Sequence, residues 1–195
     1  YAGPVPELNA SDPNLRGVCT PDVSVFELPL REGRNTLGRT LEVVAAIEED
    51  PSLIDELIAT YRSDDEWVRL RVSSALKRVV MRDPVLVYAH IDDLLTWVAL
   101  IDQPSTQWTL ANVFAALRDY LTNEQSTRAV DIMQRNLITS HDWIVLNETM
   151  RTLGDWAVGD AELRDWLVPR LVDLADEPRK SIRSRAQKLL GQLRG

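Results

Sequence analysis

The chain is poor in the residues that carry most covalent and metal chemistry. Its 195 residues include one cysteine, Cys19, and two histidines, His90 and His141. A lone cysteine cannot form an intrachain disulfide, and we expect a reducing, cytoplasmic compartment. Neither histidine has a second histidine or a cysteine at metal-ligand spacing. We therefore predict no metal, no cofactor and no catalytic residue, and we expect that the chain is not an enzyme.

Long apolar runs and phosphate-binding glycine motifs are also missing. No apolar stretch approaches the ~20 residues that a membrane-spanning helix needs. The start lacks the basic and apolar regions of a signal peptide, and no P-loop or G-x-G-x-x-G occurs. These absences predict a protein without membrane association. The first residue is Tyr1 rather than Met, which indicates a sequence trimmed or taken from a longer chain.

Positive charge is in deficit overall but concentrated at one end. Lys and Arg number 22 against 30 Asp and Glu, a net charge of −8 that disfavours nucleic-acid binding. Residues 178–195 hold six basic and no acidic side chains, whereas the other 177 residues hold 16 basic and 30 acidic ones. This cationic end predicts a docking surface for a protein partner, an acidic one in particular, or for nucleic acid. The alternative is a solvated outer face that keeps the last helix soluble. The predicted docking residues are Arg179, Lys180, Arg183, Arg185 and Lys188.

Proline divides the chain into two parts. Five of the ten prolines lie in residues 1–35, where no helical period is visible and "DVSVFELPL" alternates weakly. We predict an irregular, extended or strand-like arm there. From residue 36 onward, short polar breaks separate amphipathic segments, and no strand is indicated. The predicted helices are 36–49, 51–61, 65–81, 84–101, 105–121, 124–138, 141–157, 160–175 and 179–194.

The sequence pattern of one predicted helix occurs twice. "VRLRVSSALKRV", which begins at Val68, shares its pattern with "IRSRAQKLLGQL", which begins at Ile182. Weaker copies begin at Thr109 and Val145, and each copy follows another predicted helix. Helices of this length cannot bury their apolar faces alone, so we expect hairpins of two helices that stack on one another.

These segments resemble the HEAT-repeat (armadillo-like) family of α-solenoids, as a small bacterial-type member. Pro169 adds to the resemblance, because first helices of this family often carry a kink. The resemblance covers about residues 50–194 and implies an all-α, right-handed α-α superhelix of about four hairpins. The implied repeats are about 51–81, 84–121, 124–157 and 160–194, with 36–49 as a helix covering the N-terminal end. The family includes scaffolds, adaptors, lyase subunits and a few enzymes, so it implies little about function.

A row of tryptophans marks the predicted second helices. Each lies near a helix start and is followed four residues later by a polar side chain. In similar solenoids these helices line the concave face, where such a row would bind a partner segment. The alternative is that each tryptophan fixes its helix start onto the preceding turn. The predicted concave-face residues are Trp67, Arg71, Trp108, Asn112, Trp143, Asn147 and Arg151.

Three hypotheses about function follow, and the first is a non-enzymatic protein-binding module or scaffold. The second is an enzyme or enzyme subunit acting on nucleic acid, because some HEAT-like proteins are DNA alkylpurine glycosylases or lyase subunits. A buried carboxylate in a concave pocket would favour this hypothesis, with Asp92, Asp119 and Glu148 as candidates. The third is a terminal fragment of a longer solenoid, which an apolar, uncovered end helix would favour. The sequence leaves the oligomeric state open.

Overall fold

The computed structural model describes residues 24–32 and 37–194, and these residues form eleven α-helices and no β-strand. The predicted all-α class is thereby confirmed for this part of the chain. Short 3-10 turns occur at Pro51–Leu53, Thr60–Arg62, Val98–Leu100 and Arg118–Tyr120. The helices are α1 (Glu27–Arg31), α2 (Thr40–Glu49), α3 (Ile54–Ala59), α4 (Glu66–Arg82), α5 (Pro84–Tyr88), α6 (Ile91–Leu95), α7 (Pro104–Leu117), α8 (Asn123–Thr139), α9 (Trp143–Ala157), α10 (Ala161–Leu174) and α11 (Lys180–Arg194).

Side-chain caps fix where most of the long helices begin. The carboxylate of Asp65 accepts hydrogen bonds from the first-turn amides of α4, and Asp142 does the same for α9. Asp160 caps α10, and Thr122 forms a reciprocal capping box with Gln125 at the start of α8. Each cap satisfies amides that have no acceptor inside the helix. Beyond residue 50 the ends of the predicted helical segments agree with the structure to within two residues.

The predicted irregular arm is wrong where the structure describes it. "ELPLR" forms α1, and Phe26 and Leu30 are buried in the core. Pro29 does not prevent this helix, because amides of the first helical turn need no intrahelical acceptor. The cysteine and the other four arm prolines lie outside the described residues.

The segment predicted as one helix over 84–101 is interrupted. It forms α5, α6 and a 3-10 turn, and Thr96 leaves the helical region with φ −103° and ψ −93°. The Thr96 hydroxyl donates to the Asp92 carbonyl oxygen at 2.6 Å. Such side-chain bonds compete with the backbone ladder and bend helices.

The second helices of successive hairpins pack against one another. Helix α2 contacts α4, α4 contacts α7, α7 contacts α9, and α9 contacts α11. Helix α8 packs against α9, and α10 packs against both α9 and α11. The fully buried side chains of Leu76, Leu110 and Leu153 lie within α4, α7 and α9. Burying one such leucine contributes about 1.5–3 kcal/mol.

Hydrogen bonds between neighbouring hairpins hold the row in register. The Thr152 hydroxyl of α9 donates to the Ala111 carbonyl of α7 at 3.0 Å. Arg69 of α4 donates through Nε to the Gln103 side chain, which itself donates to the Glu66 carbonyl. These bonds join residues 34 to 41 positions apart in sequence. Adjacent second helices are therefore fixed by both apolar packing and polar contacts.

Candidate functional site

Two of the three predicted tryptophans are exposed at the starts of second helices. Trp67 at the start of α4 exposes 49% of its surface, and Trp143 at the start of α9 exposes 52%. Trp108 is half-buried, and the Lys77 ammonium lies 5.5 Å from its ring centroid. A large exposed aromatic ring is a common anchor at protein interfaces. Of the three predicted tryptophans, two thus have largely open rings and one has a partly covered ring.

Arg71 is a correction to the predicted row. Only 3% of its surface is exposed, and its Nη1 donates to the carbonyl oxygens of Leu30 and Glu32. These carbonyls belong to α1 and the residue after it, so the guanidinium ties this N-terminal segment to α4. Arg71 therefore stabilises the fold and does not face a groove.

The two predicted asparagines form the same arrangement on successive helices. The Asn112 amide of α7 donates to the Trp108 carbonyl at 2.7 Å, and its oxygen accepts from Arg151 of α9 at 3.1 Å. The Asn147 amide donates to the Trp143 carbonyl at 2.8 Å, and its oxygen accepts from Arg185 of α11 at 3.4 Å. Each asparagine thus links its own helix start to an arginine on the following helix.

Arg151 is held by acidic neighbours as well as by Asn112. Its Nε lies 3.1 Å from Glu148 Oε2, and its Nη1 lies 3.8 Å from Asp155 Oδ2. All three side chains lie on α9. Because Glu148 faces this partner, its charge is largely compensated within the helix.

A cleft of about 500 Å³ lies between α9 and α11. We call it the α9–α11 cleft. It joins the exposed Trp143 of the predicted row to two residues of the predicted cationic end, which the sequence suggested as separate surfaces. Its lining residues are Trp143, Ile144, Asn147, Glu148, Ser181, Ser184, Arg185 and Lys188.

The other predicted cationic residues divide into anchors and exposed charges. Arg179 pairs with Glu177 and also donates to the His141 carbonyl at 2.6 Å. The hydrogen bond from Arg179 lowers the pKa of Glu177 below its usual range. Arg183 donates to the Glu177 carbonyl at 2.8 Å, whereas Lys180 is exposed. Arg179 and Arg183 therefore fix the start of α11.

The carboxylates proposed for an enzymatic site are not buried. Asp92 and Asp119 are exposed, and Glu148 is partly exposed and paired with Arg151. His90 lies 3.2 Å from Asp55 through its Nε2. Within residues 24–32 and 37–194, no group of three histidine, cysteine or acidic side chains is placed to hold a metal ion. In the same part of the chain, no helix is both long and apolar enough to cross a membrane.

A larger cleft, of about 630 Å³, was not predicted from the sequence. It lies between α8 and the start of α10, and Trp156 and Trp166 contribute to its lining. The guanidinium carbon of Arg118 lies 5.6 Å from the centroid of the Trp156 ring, and that of Arg170 lies 3.9 Å from the centroid of the Trp166 ring. Its residues come from α8, α9, α10 and the 3-10 turn before α8, with no shared motif, so no local pattern could have revealed it. Both rings already have a cation from the same chain.

Comparison with known proteins gives a fold and no function. No family model matches the chain. No curated protein matches it either. Its structure is similar to the crystal structure of an engineered protein from the Northeast Structural Genomics Consortium, with a TM-score of 0.58 and 17% sequence identity. The similarity covers 89% of this chain and 80% of the engineered one, and at this identity it shows the fold alone.

Proposed function

We propose that the chain is a non-enzymatic protein-binding module built as a HEAT-like α-solenoid. The arrangement is supported by the spacing of the repeated pattern and by the order of contacts, α4 to α7 to α9 to α11. Repeats that contact mainly their neighbours form an extended row with one continuous face. We propose that α4, α7, α9 and α11 form the inner, concave surface of this row.

The exposed tryptophans are the observation that carries the functional proposal. Trp67 and Trp143 each leave about half of a large aromatic surface in water, at the start of a second helix. Half-exposed aromatic rings beside a cleft are typical of hot spots for protein partners. The face therefore binds a segment of a partner protein, and the molecule acts as a scaffold or adaptor.

The proposal is tested by affinity purification from the native host with quantitative mass spectrometry. Trp143→Ala should lose proteins that the wild-type chain retains, because it removes the aromatic anchor. Ile138→Ala is the control, because Ile138 is an apolar residue of similar exposure that belongs to α8 and not to a second helix. Identical sets of proteins recovered by the wild type and Trp143→Ala would contradict a binding role for this face.

A further inference from the structure

We propose that the α9–α11 cleft binds a peptide segment rich in Asp and Glu. This inference rests on the proposed function and names the chemistry of the partner at one end of the binding face. It requires that the cleft attract carboxylates, offer an apolar anchor, and prefer a peptide to a phosphate backbone.

The side chains of the cleft give it positive charge. Arg185 and Lys188 line it from α11, a helix that contains no acidic residue. Lys188 is exposed and has no ion-pair partner among the described residues. The one acidic side chain in the lining, Glu148, is paired with Arg151 at 3.1 Å. The uncompensated charge in the cleft is therefore cationic.

The backbone adds to this positive potential. Ser181 and Ser184 of the lining lie within the first five residues of α11, whereas the start of α9 already carries the Asp142 carboxylate. The N-terminal end of a helix carries a partial positive charge of roughly half an elementary charge. The dipole of α11 and two cationic side chains thus act together on a carboxylate in the cleft.

Trp143 supplies the apolar part of the site. Its exposed ring and the partly buried Ile144 form one side of the cleft, opposite Ser181 and Ser184 of α11. A volume of about 500 Å³ accommodates a few side chains and not a folded domain. We infer that the bound segment places an apolar or aromatic residue on Trp143 beside its acidic residues.

Nucleic acid fits the cleft less well than an acidic peptide. Two cationic side chains cannot track a phosphate backbone over several nucleotides. A short acidic peptide needs few cationic contacts and gains apolar contact with the tryptophan.

The experiment is selection of a random 12-residue peptide display library on the immobilised full chain. We expect enriched peptides with an excess of Asp and Glu next to an aromatic or large apolar residue. The best synthetic peptide is then titrated by fluorescence anisotropy at low and at physiological salt. Binding should weaken with salt, because exposed charges are screened.

Charge reversal on α11 locates the site. Lys188→Glu and Arg185→Glu should each raise the Kd of the acidic peptide by about tenfold or more. Lys180→Glu is the matched control, since it makes the same change in net charge on the same helix but lies outside the cleft lining. It should change the Kd by less than about threefold. Lys188 is exposed, so its reversal keeps the test valid if Arg185→Glu disturbs folding through the bond to Asn147.

The outcomes separate this inference from the proposed function. Peptides that bind in a Trp143-dependent way but are not acidic, or that ignore Lys188→Glu, overturn the inference and leave the proposed function standing. A library that yields no Trp67- or Trp143-dependent peptide contradicts both. A 12-nucleotide single-stranded DNA that binds this cleft more tightly than the best peptide at physiological salt also overturns the inference.

Discussion

Gly154 of α9 faces Leu189 of α11. Among the described glycines, it is the one where an added Cβ would lie closest to a neighbouring atom. A Cβ at this position would lie 2.5 Å from Cδ2 and 3.1 Å from Cδ1 of Leu189. Leu189 is itself buried, so it has little room to move aside. The absence of a side chain at residue 154 is therefore a packing requirement between two helices.

A pair of glycine substitutions tests this contact. Gly154→Ala should lower the free energy of unfolding by about 1 kcal/mol, because overpacking costs 1–3 kcal/mol and the gain in helix propensity offsets only about 1. Gly191→Ala is the control, because nothing lies within 4 Å of its Cβ, and it should be more stable by about 0.5–1 kcal/mol. Urea unfolding followed by circular dichroism gives both values. Equal stabilisation by the two substitutions would contradict the tight contact.

Arg71 shows how the structure reassigns a residue that looked functional. We predict that Arg71→Met lowers the free energy of unfolding by about 2–3 kcal/mol, because two backbone carbonyls lose a charged donor. It should also make α1 more sensitive to limited proteolysis. Arg78→Met is the control, because among the described residues Arg78 bonds only to Ser74 of its own helix, and it should have little effect. A fully protected α1 in Arg71→Met would disprove the tether.

At the scale of helices, aspartate N-caps fix where α4, α9 and α10 begin. We predict that Asp142→Ala lowers the free energy of unfolding by about 1 kcal/mol, because the amides of Ile144 and Val145 lose their acceptor at 2.8 and 3.0 Å. Asp173→Ala removes an exposed carboxylate that caps no helix, and it should change stability by less than about 0.5 kcal/mol. Thermal unfolding of the two variants measures the difference. Equal effects would show that the cap contributes nothing.

The helical layout could be predicted from sequence because its signals are local. Asp-Pro pairs and amphipathic periods mark where helices begin and which face is apolar, and α4 and α11 even share one pattern. The segment α1 was missed because its stability comes from burial of Phe26 and Leu30 and from Arg71, 41 residues away from Leu30. Local patterns contain no information about such contacts.

The candidate site could be predicted only in part, for the same reason. The tryptophans and the cationic end were visible as composition, but their meeting in one cleft depends on the packing of α9 against α11. The asparagine-to-arginine links depend on the register of adjacent helices. Both are properties of the assembled row and not of any one segment.

At the scale of the molecule, the two ends of the proposed solenoid pack against different helices. Helix α11 contacts α9 and α10, and α4 contacts α2 and α7. The exposed residues of α11 are mostly polar, whereas α1 and α2 at the other end of the described chain expose Leu28 and Leu41. In a row of this kind, stability is approximately a sum of repeat terms and nearest-neighbour terms.

Native-state hydrogen exchange of Leu189→Ala, measured by mass spectrometry against the wild type, tests the proposed row most directly. Loss of this buried leucine should cost about 2–5 kcal/mol at the contact of α11 with α9. We expect exchange at least about thirtyfold faster in α10 and α11, with α4 nearly unchanged, because destabilisation in a row remains local. Equal acceleration in α4, α7 and α11 would show one cooperative core and contradict the solenoid.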